Sequence, residues 1–145
     1  AHAALPATRA DLGRLRADVR RLEACVDDGK SGTDPDLSFH SAIARASQNK
    51  YRLQLVVYLH REIRDALDIA RRNSARSPGV PAKVHAEHEA VLRAIVDGDA
   101  PAASQAMRNH LTSAAERLGL VLQAPRRQRH DRGGRPTERR TDTPG

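Results

Sequence analysis

The chain has one cysteine, Cys25, which excludes an internal disulfide framework and any Cys-rich zinc finger. No run of about 18 apolar residues occurs, and the N-terminus lacks the basic, apolar and small-residue succession of a signal peptide. A cytoplasmic chain without a membrane span is therefore expected. Tryptophan is absent and aromatics make up 2%, so there is no platform on which single-stranded bases could stack. No strand candidate and no internal repeat is found. What remains, 145 residues at 39% hydrophobic, is enough for one domain with one modest core.

A net charge of +7 raises the question of nucleic acid, but the charge is unevenly placed. Residues 125–145 hold seven arginines against Asp131, Glu138 and Asp142, so +4 of the total lies in that stretch. It has almost no apolar residues and is expected to be a disordered, solvated tail following a helical domain over 1–124. Such a tail could touch phosphates only non-specifically.

The body reads as about five helices, an all-α antiparallel bundle. Leu12, Leu15, Val19, Leu22 and Val26 form an amphipathic stripe over 9–27, with Thr8 as N-cap. Asp34-Pro35 reads as an N-cap followed by proline at the first helical position, opening a helix to about Ser47. The next helix, about 50–73, carries Leu53, Leu55, Val56, Leu59, Ile63, Leu67 and Ile69, too many for one narrow stripe, and is expected to be central. A fourth runs over about 82–97. Asp97-Gly98-Asp99-Ala100-Pro101 is then a very short turn into a fifth helix, about 100–122, so the last two are antiparallel neighbours.

Four residues on three of these helices are spaced as ligands of one metal ion. Asp36 and His40 are four apart and project from one helix face. His88 lies about ten residues before the short turn and His110 about twelve after it, which at about 1.5 Å per residue puts them at similar heights. Side-by-side packing would gather three imidazoles and a carboxylate in a bundle interior, where helical proteins build metal sites. Each residue also has a plainer role open to it: Asp36 as a helix-dipole partner, His40 as a core histidine. His2, His60, His85 and His130 read as surface residues, and Cys25 as a packed one.

The run Asp36-Leu37-Ser38-Phe39-His40-Ser41-Ala42-Ile43-Ala44, then Ser47-Gln48-Asn49, then His88-Glu89-Ala90-Val91-Leu92-Arg93-Ala94-Ile95-Val96-Asp97-Gly98-Asp99, then Ala106-Met107-Arg108-Asn109-His110-Leu111 resembles the FCD domain. This is the C-terminal effector-binding domain of FadR-subgroup regulators in the GntR family, and the likeness covers roughly residues 8–122. It implies an all-helical bundle that binds a small effector, usually a carboxylic acid, and relays its presence to an N-terminal winged helix-turn-helix. It also implies a homodimeric full-length regulator and a divalent metal held by Asp36, His40, His88 and His110. No winged helix is expected within this sequence and the first helix of the domain is expected to be clipped, so DNA binding is expected only through a part outside this chain.

Three imidazoles and a carboxylate suit zinc first, with nickel, manganese or iron as alternatives, and leave positions for an exogenous ligand. The same site could activate water, so a small helical hydrolase is the rival reading, and a truncated, non-binding interaction module is a third. Glu87 and Glu89 are the nearest bases for a hydrolase. Glu89 immediately follows His88, about 100° around the helix, and His85 with His88 lacks metalloprotease spacing. A regulator rather than an enzyme is therefore expected. For an acidic effector, Arg61, Arg64 and Arg71 are candidate partners, with Ser47 and Asn49 either lining the pocket or capping the second helix.

Overall fold

The computed structural model describes residues 7–119, and the tail at 125–145, His2 and His130 lie outside that range. Among the described residues there are five helices and no strand: α1 (Arg9–Asp27), α2 (Thr33–Ala46), α3 (Lys50–Ala75), α4 (Val80–Val96) and α5 (Ala100–Arg117). No helix among them is long and apolar enough to cross a membrane.

Local chemistry sets the ends. Thr8 caps α1 in a reciprocal box with Asp11, whose carboxylate accepts from the Thr8 amide at 3.1 Å while the Asp11 amide donates to the Thr8 hydroxyl at 3.2 Å. Asp34 does not cap α2. Gly32 does, at φ +66, because a left-handed residue there turns the chain sharply and its carbonyl takes the first helical bond from the Asp36 amide at 3.2 Å. Pro35 then sits in the first turn, where its missing N–H leaves no helical bond unmade. Asp99 caps α5 through the Ala102 amide, as its spacing from Pro101 suggests. The fifth helix stops at Arg117 rather than near 122, since Gly119 enters the left-handed region at φ +72 and ends it.

Packing joins α4 to α5 most extensively, then α1 to α2. The core is Leu15 and Val19 of α1, Phe39 and Ala42 of α2 and Val91 of α4, with Ile43, Leu92, Ile95 and Met107 around it. The helix expected at the centre is not there. α3 is the longest, at 26 residues, and buries none of them. Its apolar residues are divided between a cavity wall and the outside, which explains a pattern too wide for one stripe without central placement.

Candidate metal centre

Asp36, His40, His88 and His110 come together, each offering one ligand atom, with all four atoms within 4.8 Å of one another. Asp36 rises from the first turn of α2 and His40 from one turn further on, His88 from the middle of α4 and His110 from α5. Asp36, His88 and His110 are buried and His40 nearly so. Phe39 packs edge-on against His88, with ring centroids 5.2 Å apart, so the hydrophobic core directly supports one ligand.

Hydrogen bonds decide which ring nitrogens remain free. His88 Nδ1 lies 2.8 Å from the Val84 carbonyl, an acceptor only, so Nδ1 carries the proton and donates. His110 Nδ1 donates in the same way to Glu87 Oε2 at 3.0 Å. Glu87 is itself gripped by both Arg117 terminal nitrogens, at 2.9 and 3.0 Å. Both imidazoles therefore turn a lone pair on Nε2 toward the cluster. His88 Nε2 faces Asp36 Oδ1 at 2.9 Å and makes no hydrogen bond, while His110 Nε2 is 3.3 Å from His40 Nε2.

A lone pair against a carboxylate oxygen at that distance, out of water, calls for a positive charge between them: a second proton on His88 or a metal cation. The donor set fits the cation. Tetrahedral zinc–nitrogen bonds of about 2.0–2.1 Å separate ligand nitrogens by about 3.3 Å. The arrangement of Nδ1 donors on Val84 and Glu87 is also how metal-bound histidines are usually oriented from behind.

Charge is arranged to keep the site deprotonated. Burial pushes the Asp36 carboxyl up, but His88, His40 and the Arg71 guanidinium outweigh it and hold the group well below the usual carboxylate range. Burial drives His40 down to about 4, with neighbouring imidazoles adding to the shift and Asp36 opposing it. Burial and His88 also lower His110, against Glu87 and Asp36. For Glu87, burial is overcome by Arg117 and His110, and it too is lowered. Neutral imidazoles and ionised carboxylates are the forms that bind metal.

The cluster opens into a cavity of about 610 Å³ between α3 and the other helices. Arg71 lines it and donates to Asp36 Oδ1 at 2.8 Å and to the Ser31 carbonyl at 2.6 Å. Ser47 also lines it, donating to the Ala44 carbonyl. Arg61, Arg64 and Asn49 do not line the cavity: Arg61 is exposed, Arg64 pairs with Asp34, and Asn49 caps α3 through the Tyr51 and Arg52 amides. His60 and His85, expected at the surface, are half-buried on the cavity wall, His60 with Nδ1 3.3 Å from Ser41 Oγ. Glu87, read from the sequence only as a candidate base, instead supports His110, and its partner Arg117 escaped sequence reasoning. The only signal was a glutamate one residue before His88 and an arginine seven after His110, on helices known to be antiparallel.

Residues 1–113 match the model of the FCD domain. The chain belongs to the FCD family. FCD domains are effector-binding regulatory domains of GntR-type transcription regulators and not enzymes, so the hydrolase reading falls. The chain is 29% identical over 118 residues to the HTH-type transcriptional regulator LutR of Bacillus subtilis (strain 168), covering 77% of this chain and 51% of that protein. It is 32% identical over 112 residues to a protein of Escherichia coli (strain K12) described as an L-lactate dehydrogenase operon regulatory protein, covering 77% of this chain and 42% of that one. This FCD chain thus spans about half the length of the curated relatives it matches.

Proposed function

We propose that this FCD domain binds one divalent metal ion, zinc first among the alternatives of nickel, manganese and iron, through Asp36, His40, His88 and His110. A small carboxylic acid then binds beside the ion as effector and changes the DNA binding of a dimeric cytoplasmic regulator, whose winged helix-turn-helix lies outside this chain. The bound ion would supply positive charge to the four ligands and open positions to the acid's carboxylate. Residues 1–124 would form the sensing unit and 125–145 a tail without a dedicated site.

One observation carries the proposal: the buried Nε2 of His88, its tautomer fixed by Val84, faces the Asp36 carboxylate with no hydrogen bond of its own. The two relatives named as regulators support the DNA-control half, and the operon in the name of the Escherichia coli protein is the reason to include L-lactate among the acids tried. Arg71, already on Asp36 and beside the cavity, would hold that ligand in place, and Ser47 is the other effector-contact candidate that lines the cavity.

Metal content of the purified chain, measured with melting curves before and after chelation, tests this reading. About one equivalent per chain, and a melting temperature lowered by chelation and restored by zinc, is the expected result. A chain that takes up no metal and is not stabilised by zinc, nickel or manganese overturns it.

A further inference from the structure

The cavity beside the four ligands has a polar end and an apolar body. On α3, Leu55, Leu59, Ile63, Leu67 and Arg71 all line it and follow one another at four-residue intervals, a single stripe of the helix. Its last member, Arg71, meets Asp36; the preceding four run about 18 Å along the helix away from that contact. Across the cavity α5 presents Met107 and Leu111. Leu55 is 58% exposed, Leu59 and Ile63 45% each and Leu111 52%, so both walls carry large apolar groups facing unfilled space beside a buried cluster of charge.

Resting on the proposed metal and acid site, we infer that the acid this domain takes is an apolar-bodied carboxylic acid, with its head at the cluster and its hydrocarbon part along the α3 stripe. A hydroxy acid as small as lactate would leave Leu55, Leu59, Ile63 and Leu111 wet, whereas about 610 Å³ is within the range that holds ligands several times its size. Charge complementarity picks the orientation. Arg71 and the ligand cluster gather at one end of the stripe, Leu55, Leu59, Ile63 and Leu67 follow without a charge among them, and Arg52 lines the cavity near the far end.

The test is titration calorimetry of the zinc-loaded 145-residue chain with acetate, butanoate, hexanoate, octanoate and L-lactate. The dissociation constant should fall about three- to fourfold for each added methylene. Hexanoate should bind more tightly than L-lactate, and chelating the zinc should abolish octanoate binding. Leu59→Gln and Ile63→Asn, at half-exposed positions, should each flatten the series while metal content stays at one equivalent. Saturable L-lactate binding with a flat or inverted series overturns the inference and leaves the metal and acid reading standing. Octanoate binding that survives chelation overturns it also, showing a greasy surface without a head-group site. Silence with every acid, while zinc still raises the melting temperature, removes the effector half of the proposed function and this inference together.

Discussion

The cavity's two sides are built by different means. On the α4–α5 side the ligands are backed by fixed partners: Val84 behind His88, Glu87 and Arg117 behind His110, Phe39 against the His88 ring. On the α3 side nothing is buried, and the helix is tied to α2 and the turn before it by a row of polar contacts: Arg64 on Asp34, Asp68 on Thr33, Arg71 on Ser31 and Asp36, His60 beside Ser41. Core packing is what makes an element open only with the whole molecule, and polar latches without it allow local opening. A rigid side can hold metal geometry while a loosely held side admits and senses an acid. That division is what a two-state sensor requires.

The largest effect should come from the rigid side. Phe39→Ala removes a fully buried ring from the core and from His88, and is expected to cost about 3–5 kcal/mol in denaturant unfolding of the metal-free protein. A cost below about 1 kcal/mol would mean that the two sides do not differ as described. Next comes the metal itself. With zinc at a thousand times its dissociation constant, binding adds about 4 kcal/mol. His88→Ala and His110→Ala should lose that increment together with the metal, and His85→Ala, on the cavity wall but outside the cluster, should lose neither. Equal losses from all three would defeat the ligand assignment.

How much of this was legible beforehand follows the same division. Helix-forming stripes, the Asp99 cap and the antiparallel α4–α5 turn depend on short-range chemistry, and they appear in the sequence as in the fold. His88 and His110 could be paired because a short turn fixes their relative height, whatever the rest of the chain does. Nothing local shows where α3 lies. Seven apolar residues on one helix are compatible with a central position or with an open cavity on one side, and only the neighbours decide. For the same reason Arg64 and Arg71 looked alike in sequence: one ends on exposed Asp34 and the other at the buried cluster, a difference made by contacts 30 and 35 residues away. Gly32 displaced Asp34 as a cap because a left-handed turn was needed there, a demand set by how α1 hands over to α2.

Acid should weaken the rigid side before the other. In the unfolded chain an imidazole titrates near its ordinary 6.5, whereas folded His40 resists protonation down to about 4. Between those values the unfolded state binds more protons, so the metal-free protein loses stability as pH falls through that window, by on the order of 2–3 kcal/mol, and keeps it above. Urea midpoints at pH 7, 5.5 and 4 check this, and His40→Gln should flatten the slope. A subtler change, Glu87→Gln, leaves the His110 contact in place but without its charge. It should weaken zinc about ten- to a hundredfold while the metal-free protein keeps most of its stability. Competition with a chromophoric chelator reads the affinity, and an unchanged value would reduce Glu87 to a partner of Arg117 alone.

The smallest effect is also the most telling for the comparison. The Arg64 and Asp34 side chains are both more than half exposed, so Arg64→Ala should shift global stability by less than about 0.5 kcal/mol. Local opening is another matter, because that pair is one of the few ties along α3. Amide exchange should find α3 the least protected of the long helices, with protection falling further in Arg64→Ala and α4 and α5 unchanged. Zinc should slow exchange in α2, α4 and α5, which carry its ligands, and leave the Lys50–Leu59 stretch of α3 as it was. If α3 is instead as protected as α4 without metal, a partner or a tighter packing holds it, and the acid would have to enter by displacing that partner rather than by passing a loose wall.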